Sequence, residues 1–123
     1  ALKDAGIAES EIDYVNAHAT GTLQGDASEA QAVANLFGAT PPVSSLKGHL
    51  GHTMAASGAI ETIATVRMMQ ESTIIPTANL TNPAEECSAI NNALHLQERP
   101  ITYALKNNFA LGGINTSLVL RRS

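Results

Sequence analysis

The sequence predicts an α/β fold, in which strands and helices alternate around a mixed sheet and a hairpin closes the C-terminus. Two observations carry this prediction. Apolar, β-favouring runs at residues 12–17 and 43–46 are each followed by a helical pattern, which is typical of layered α/β domains. Two later runs, 103–109 and 116–120, flank the glycine pair at 112–113 and predict the two strands of a hairpin.

The first elements are defined by their caps and breakers. The chain opens on what reads as the last turns of a helix ending at Gly6 and has no initiator methionine. We therefore expect residues 1–123 to be one domain and a piece of a longer protein or of a split one. Asp26 and Glu29, just ahead of an apolar helical face, predict an N-cap and its reciprocal capping partner, and Gly38 predicts the helix end.

A second, longer helix is predicted over about residues 54–71. Its apolar residues cover most of the circumference, so we expect it to be largely buried. Gly58 is unfavourable inside a helix, and its presence predicts the close approach of another backbone. Residues 93–96 predict a short edge strand.

Composition limits the classes of function. The chain has 123 residues, of which 44% are hydrophobic and 3% aromatic, so a core would pack through small side chains. A net charge of −4 without any basic run makes nucleic acids and anionic membranes poor partners. With one cysteine, no signal peptide and no apolar stretch long enough to span a bilayer, we expect a cytoplasmic protein.

Three short segments concentrate the chemistry. Residues 16–22 (NAHATGT) and 47–52 (KGHLGH) each set a histidine among small residues just after a predicted strand. Binding sites of α/β folds lie beyond the carboxyl ends of such strands. The third segment, residues 107–115 (NNFALGGIN), contains the glycine turn of the hairpin.

Together and in this order, the three segments resemble the C-terminal half of a β-ketoacyl synthase, a condensing enzyme with a thiolase-like fold. The resemblance covers nearly the whole chain. It implies that His18 and His52 are the two active-site histidines. It also implies that Lys47 and Glu61 form an ion pair that positions the site, and the apolar surroundings of Glu61 favour a buried partner.

The resemblance also implies a set of substrate contacts. Thr20 and Thr22 would bind the phosphopantetheine arm that carries the substrate, and no bound cofactor is implied. Phe109, Ala110 and Leu111 correspond to the loop that gates the acyl pocket in these synthases. The family usually has Gly and Phe at the last two positions, so Leu111 predicts a smaller gate residue and more room for the acyl chain.

The activity that the resemblance implies is the decarboxylative Claisen condensation of an acyl thioester with malonyl-carrier protein, in fatty acid or polyketide synthesis. The nucleophilic cysteine would lie in the missing N-terminal half, so this piece alone is expected to be inactive. The implied partners are that half, the acyl carrier protein and a second subunit in a homo- or heterodimer.

Three alternatives stay open. A non-catalytic subunit similar to a chain-length factor would shape the acyl tunnel of a partner synthase; the unusual gate residues favour it, and retention of both histidines speaks against it. A thiolase would share the architecture, but it needs a second cysteine beside the glycine turn, which the chain lacks. A metal site of His18, His49, His52 and Cys87 lacks the paired ligands typical of zinc, and Cys87 reads as a small buried filler.

Overall fold

The computed structural model describes all 123 residues and has the predicted mixed α/β architecture. Its main sheet contains five strands: β1 (Tyr14–Asn16), β2 (Pro42–Ser44), β4 (Asn91–Asn92), β6 (Tyr103–Ala110) and β7 (Ile114–Arg121). The order is β4-β2-β1-β6-β7, in which the first four strands are parallel and β7 runs antiparallel to β6. Two short strands, β3 (Thr73–Ile74) and β5 (Gln97–Glu98), pair separately.

Four helices accompany the sheet: α1 (Leu2–Ala5), α2 (Leu23–Phe37), α3 (Lys47–Leu50) and α4 (Ser57–Glu71). Successive residues of a strand point to opposite faces of a sheet, so neighbours in β1 belong to different cores. Tyr14 packs with Met68 and Met69 of α4, whereas Val15 packs with Val33 and Phe37 of α2. The two long helices therefore cover opposite faces. None of the helices has the length and apolarity needed to cross a bilayer.

The hairpin and the glycine helix ends are confirmed. β6 and β7 pair in register from Tyr103–Arg121 to Ala110–Ile114. Gly6 ends α1 with φ 69° and Gly38 ends α2 with φ 60°, a backbone region that favours glycine.

The capping prediction at Asp26 is wrong. Helix α2 begins at Leu23 with Thr22 as its N-cap, so Asp26 already lies in the first turn. Its carboxylate accepts the backbone N–H of Gly21 at 3.1 Å and thereby fixes the loop before the helix. The edge strand predicted at 93–96 is also wrong: Ala93 is fully buried behind β4, and its N–H donates to Val43 O at 2.9 Å.

The expected burial of α4 holds for one face only. Ser57, Glu61, Thr65, Met68 and Met69 are buried, while Ile63 is 65% exposed. The sheet covers a single side of the helix, so Ile63 on the opposite side lies outside both hydrophobic cores of this chain. Gly58 faces the side chain of Asn108 rather than a backbone, since a Cβ there would lie 3.4 Å from Asn108 Nδ2.

Candidate active site

Two imidazole rings meet at the carboxyl end of the sheet. The ring centroids of His18 and His52 are 5.5 Å apart, with the planes at 86°. His18 follows β1, and His52 follows β2 by way of α3, so two neighbouring parallel strands deliver them to the same edge. The two rings therefore stand edge to face at one end of the sheet.

The orientation of His52 is set by its own loop. The backbone N–H of Met54 donates to His52 Nδ1 at 3.1 Å, so a neutral ring carries its proton on Nε2. Met54 has φ 52°, a left-handed conformation that costs a residue with a side chain on the order of 1–3 kcal/mol. The ring of His49 lies elsewhere, with Nε2 2.8 Å from Pro76 O.

His18 lies in a half-buried position beside this donor. Its Nδ1 is buried and has no hydrogen-bond partner within the chain. Burial of the ring, reinforced by the positive charge of Lys47, lowers the pKa of His18 below its ordinary value. The imidazole is therefore neutral at pH 7 and can donate one hydrogen bond without adding a net charge.

Glu29 fastens the backbone of the His18 loop. Its carboxylate accepts the N–H of His18 at 3.0 Å and that of Ala19 at 2.8 Å. Asn107 Nδ2 donates to the same carboxylate at 3.1 Å. The predicted capping role of Glu29 is therefore wrong. Its place on the same helical face as Val33, four residues later, was the signal that this carboxylate is buried and needs partners.

The predicted ion pair between Lys47 and Glu61 is confirmed. Lys47 Nζ lies 2.6 Å from Glu61 Oε1, and both side chains are buried. Ser57 Oγ donates to the same oxygen at 2.9 Å. A second lysine, Lys106, which the sequence interpretation missed, lies 2.7 Å from Glu61 Oε2 as an ion pair, outside regular hydrogen-bond angles.

The charge state of Glu61 follows from these neighbours. Burial opposes its ionisation, but Lys106 and Lys47 outweigh burial and lower the pKa of Glu61. Burial also lowers the pKa of Lys106, against the attraction of Glu61. The ion pair between Lys106 and Glu61 favours the charged form of both groups against this burial. Lys106 was missed because β6 is covered on both faces, which removes the alternation that marks an inward-facing residue.

The predicted gate segment, residues 109–111, places one side chain next to His18. The ring of Phe109 lies 5.7 Å from that of His18 with an interplanar angle of 67°. Ala110 ends β6, and Leu111 stands at the tip of the hairpin, fully exposed in this chain. The structure thus brings Phe109 to the histidine pair, and the gating role of Leu111 stays a prediction.

A cleft of about 520 Å³ adjoins the site. Thr20, Thr22 and Lys47 contribute to its wall, but neither histidine of the pair does. The hydroxyls of the two threonines are 3.3 Å apart. Cys87 also lines this cleft. No three His, Cys, Asp or Glu side chains converge in a way that could hold a metal ion.

Comparison with known proteins identifies the family. Residues 1–81 match the family described as beta-ketoacyl synthase, C-terminal domain. The chain belongs to the β-ketoacyl synthase family. The thiolase-like fold predicted from the sequence is that of this family, and its structures cover the whole chain.

Individual members of the β-ketoacyl synthase family match nearly the full length of this chain. The chain is 41% identical over 124 residues to the 3-oxoacyl-[acyl-carrier-protein] synthase 2 of Coxiella burnetii, covering 98% of this chain and 30% of that protein. A β-ketoacyl synthase from Burkholderia phymatum superposes with a TM-score of 0.96 at 44% identity, covering 100% of this chain and 30% of that one.

A third relative is a type II polyketide ketosynthase solved with its acyl carrier protein and bound to the hexaketide, with a TM-score of 0.90, 33% identity and coverage of 100% and 31%. The β-ketoacyl synthase segment described here thus spans about 30% of the length of such relatives.

Proposed function

We propose that residues 1–123 form the C-terminal part of a 3-oxoacyl-acyl carrier protein synthase, which condenses an acyl thioester with a malonyl thioester and releases carbon dioxide. The supporting observation is the His18–His52 pair, whose ring centroids are 5.5 Å apart at the carboxyl end of the sheet. Membership in the β-ketoacyl synthase family gives the reaction class, and the pair supplies groups suited to it.

The pair acts on the oxygen of the malonyl thioester. When the carboxylate leaves as carbon dioxide, the electrons of the broken carbon–carbon bond pass to the thioester oxygen as an enolate. His52 donates its Nε2–H to this oxygen, since its Nδ1 is occupied by the N–H of Met54. His18 supplies the second donor. Loss of one donor aimed at a developing oxyanion typically costs about a hundred- to a thousandfold in rate.

The enolate carbon then attacks the carbonyl of an acyl group held as a thioester on a cysteine, and that cysteine leaves as a thiolate. Cys87 is unsuited to this role because burial, with the negative charges of Asp26 and Glu86, raises its pKa. It also lines the neighbouring cleft, to which neither histidine of the pair contributes. We therefore assign the nucleophile to an N-terminal part of the protein and expect the isolated chain not to become acylated.

The cleft beside the site suits the phosphopantetheine arm of an acyl carrier protein. The hydroxyls of Thr20 and Thr22 line its wall and can donate to the amides of such an arm. A relative solved in complex with its carrier protein supports this class of partner. A cofactor bound to the chain itself is not needed, and dimerisation remains an expectation from the family resemblance.

The test is carbon dioxide release from malonyl-carrier protein by the full-length synthase that contains this chain. His52→Ala should lower the rate at least a hundredfold. His49→Ala is the matched control, because that imidazole lies three residues away with its ring on Pro76 O, and it should stay close to the parent rate. An unchanged rate in His52→Ala would overturn the assignment.

The alternative function, a non-catalytic subunit that shapes the tunnel of a partner synthase, predicts no carbon dioxide release even from the parent protein with its cysteine present. The gate residues Ala110 and Leu111 favour it. The oriented imidazole of His52 argues for the enzyme, because a shaping subunit has no use for a fixed donor.

A further inference from the structure

Four charged side chains are buried in this chain, and they balance. Lys47 comes from α3, Lys106 from β6, Glu29 from α2 and Glu61 from α4. Each lysine contacts Glu61, and Glu29 is held by backbone N–H groups and Asn107. Two positive and two negative charges give a net charge of zero only while the histidines beside them are neutral.

Lys106 is the most buried member of this ionic cluster. Its side chain is 0% exposed. Besides Glu61, its ammonium group donates to the backbone carbonyl of Asn107 and to Asn108 Oδ1, the latter at 3.2 Å. Asn108 packs against Gly58, and because glycine has no side chain there is room for Asn108 at this point. Asn108 and Gly58 together thus make space for a second buried lysine beside Glu61.

We propose that Lys106 is a positioning residue whose buried charge balances the two buried glutamates and thereby keeps His18 in its neutral, hydrogen-bond-donating form. The inference rests on the proposed function in giving His18 a catalytic task. Its physical content, the link between one buried charge and the protonation of His18, can be measured without any catalysis.

The charged groups around His18 explain the effect. Lys47 and Lys106 disfavour a proton on the ring, Glu29 favours it, and His52 disfavours a second imidazolium. Without Lys106, the cluster carries one negative charge in excess in a buried setting. That excess stabilises an imidazolium, so His18 would become protonated at a higher pH.

The test is the pKa of His18 in the full-length protein, obtained from the pH dependence of deuterium exchange at the ring Cε1–H and assigned by peptide mass spectrometry. Lys106→Met, of similar length but uncharged, should raise this pKa measurably above that of the parent protein. The double variant Lys106→Met/Glu61→Gln removes one charge of each sign and should return the pKa to near the parent value. Lys106→Arg, which keeps the charge, should stay close to the parent.

The matched control is Arg67→Met, which removes a cation from the exposed pair with Glu71 and should leave the pKa of His18 unchanged. Glu61→Gln alone gives the cluster one positive charge in excess, so it should shift this pKa downward and provides a second reading where Lys106→Met does not fold. An unchanged pKa in the folded single variants, or a double variant no closer to the parent, would overturn the proposal.

The outcomes separate this inference from the proposed function. A parent protein that releases no carbon dioxide, but whose His18 titrates as described, contradicts the enzyme and leaves the charge balance standing. A parent that releases carbon dioxide while Lys106→Met leaves the pKa of His18 in place contradicts the charge balance alone.

Discussion

The carboxylate of Glu29 accepts the backbone N–H of His18 at 3.0 Å, which ties the loop after β1 to the neighbouring helix α2. Because the same carboxylate also accepts the N–H of Ala19 at 2.8 Å, two successive amides are held by one buried side chain. The contact fixes the main chain of His18 rather than its ring, and it leaves both ring nitrogens available to other partners. Glu29 therefore acts on the site through the backbone.

Glu29→Gln should disturb this arrangement while preserving the volume of the side chain. The amide has a single acceptor oxygen, so its NH₂ must face one of the two N–H donors, and a buried donor left unsatisfied costs about 1–3 kcal/mol. We expect a lower melting temperature and, since a misplacement of about 1 Å can cost a hundredfold in rate, slower carbon dioxide release. Glu71→Gln, at an exposed helix position, is the control and should change neither quantity.

Gly48, in the helix that carries Lys47, lies too close to the backbone of Ala78 to be replaced by a residue with a side chain. A Cβ at this position would lie 2.7 Å from the carbonyl oxygen of Ala78 and 2.9 Å from its nitrogen, and backbone atoms cannot move aside cheaply. Gly48→Ala should therefore destabilise the fold by about 1–3 kcal/mol, measured as a drop in the melting temperature.

Gly58→Ala is the matched substitution for this test. A Cβ there meets only the side chain of Asn108 at 3.4 Å, and alanine has the higher helix propensity. The variant should lose less stability than Gly48→Ala. The reverse order of the two melting temperatures would contradict the steric argument.

The meeting of the two histidines was predictable because a simple rule governs it. Each imidazole follows a short parallel strand, and the carboxyl ends of neighbouring parallel strands share an edge. Lys106 was not predictable in this way. It lies on β6, between β1 and β7, where both faces of the sheet are covered. In such a strand a lysine is expected as readily at the exposed end of the strand as in its buried interior. The sequence predicted Glu61 as the partner of Lys47, and its second ion pair with Lys106 was not predicted.

The remaining misses have physical causes of two kinds. Strands β4 and β5 are two residues long, so they are fixed by their pairing with other strands and leave no pattern of their own. Helix α4 is apolar around most of its circumference, which predicts burial on all sides, yet only one side meets the sheet of this chain. Periodicity indicates which surfaces avoid water and does not indicate which chain covers them.

The lowered pKa of His18 predicts how the reaction depends on pH. Burial and the charge of Lys47 hold this pKa below its ordinary value of 6.5. The neutral donor therefore persists into more acidic solution, and the acid limb of kcat/KM for carbon dioxide release should have its midpoint below pH 6.5. In the unfolded chain His18 takes up its proton near 6.5, so the unfolded state binds more protons in this window and stability falls with decreasing pH. An acid limb centred above 6.5, and unchanged in His49→Gln, would contradict the assignment.

Leu111 tests the acyl specificity that the gate segment predicts. The side chain stands fully exposed at the hairpin tip, so Leu111→Phe should leave the melting temperature of the protein unchanged. If the residue lines the acyl pocket of the complete synthase, the larger ring narrows that pocket and the distribution of products should move to shorter chains. Leu96→Phe, a substitution of the same size at another exposed leucine, controls for a general effect of added aromatic surface. Identical product lengths in the parent and in Leu111→Phe would remove Leu111 from the gate and leave Phe109, beside His18, as the residue through which this segment reaches the site.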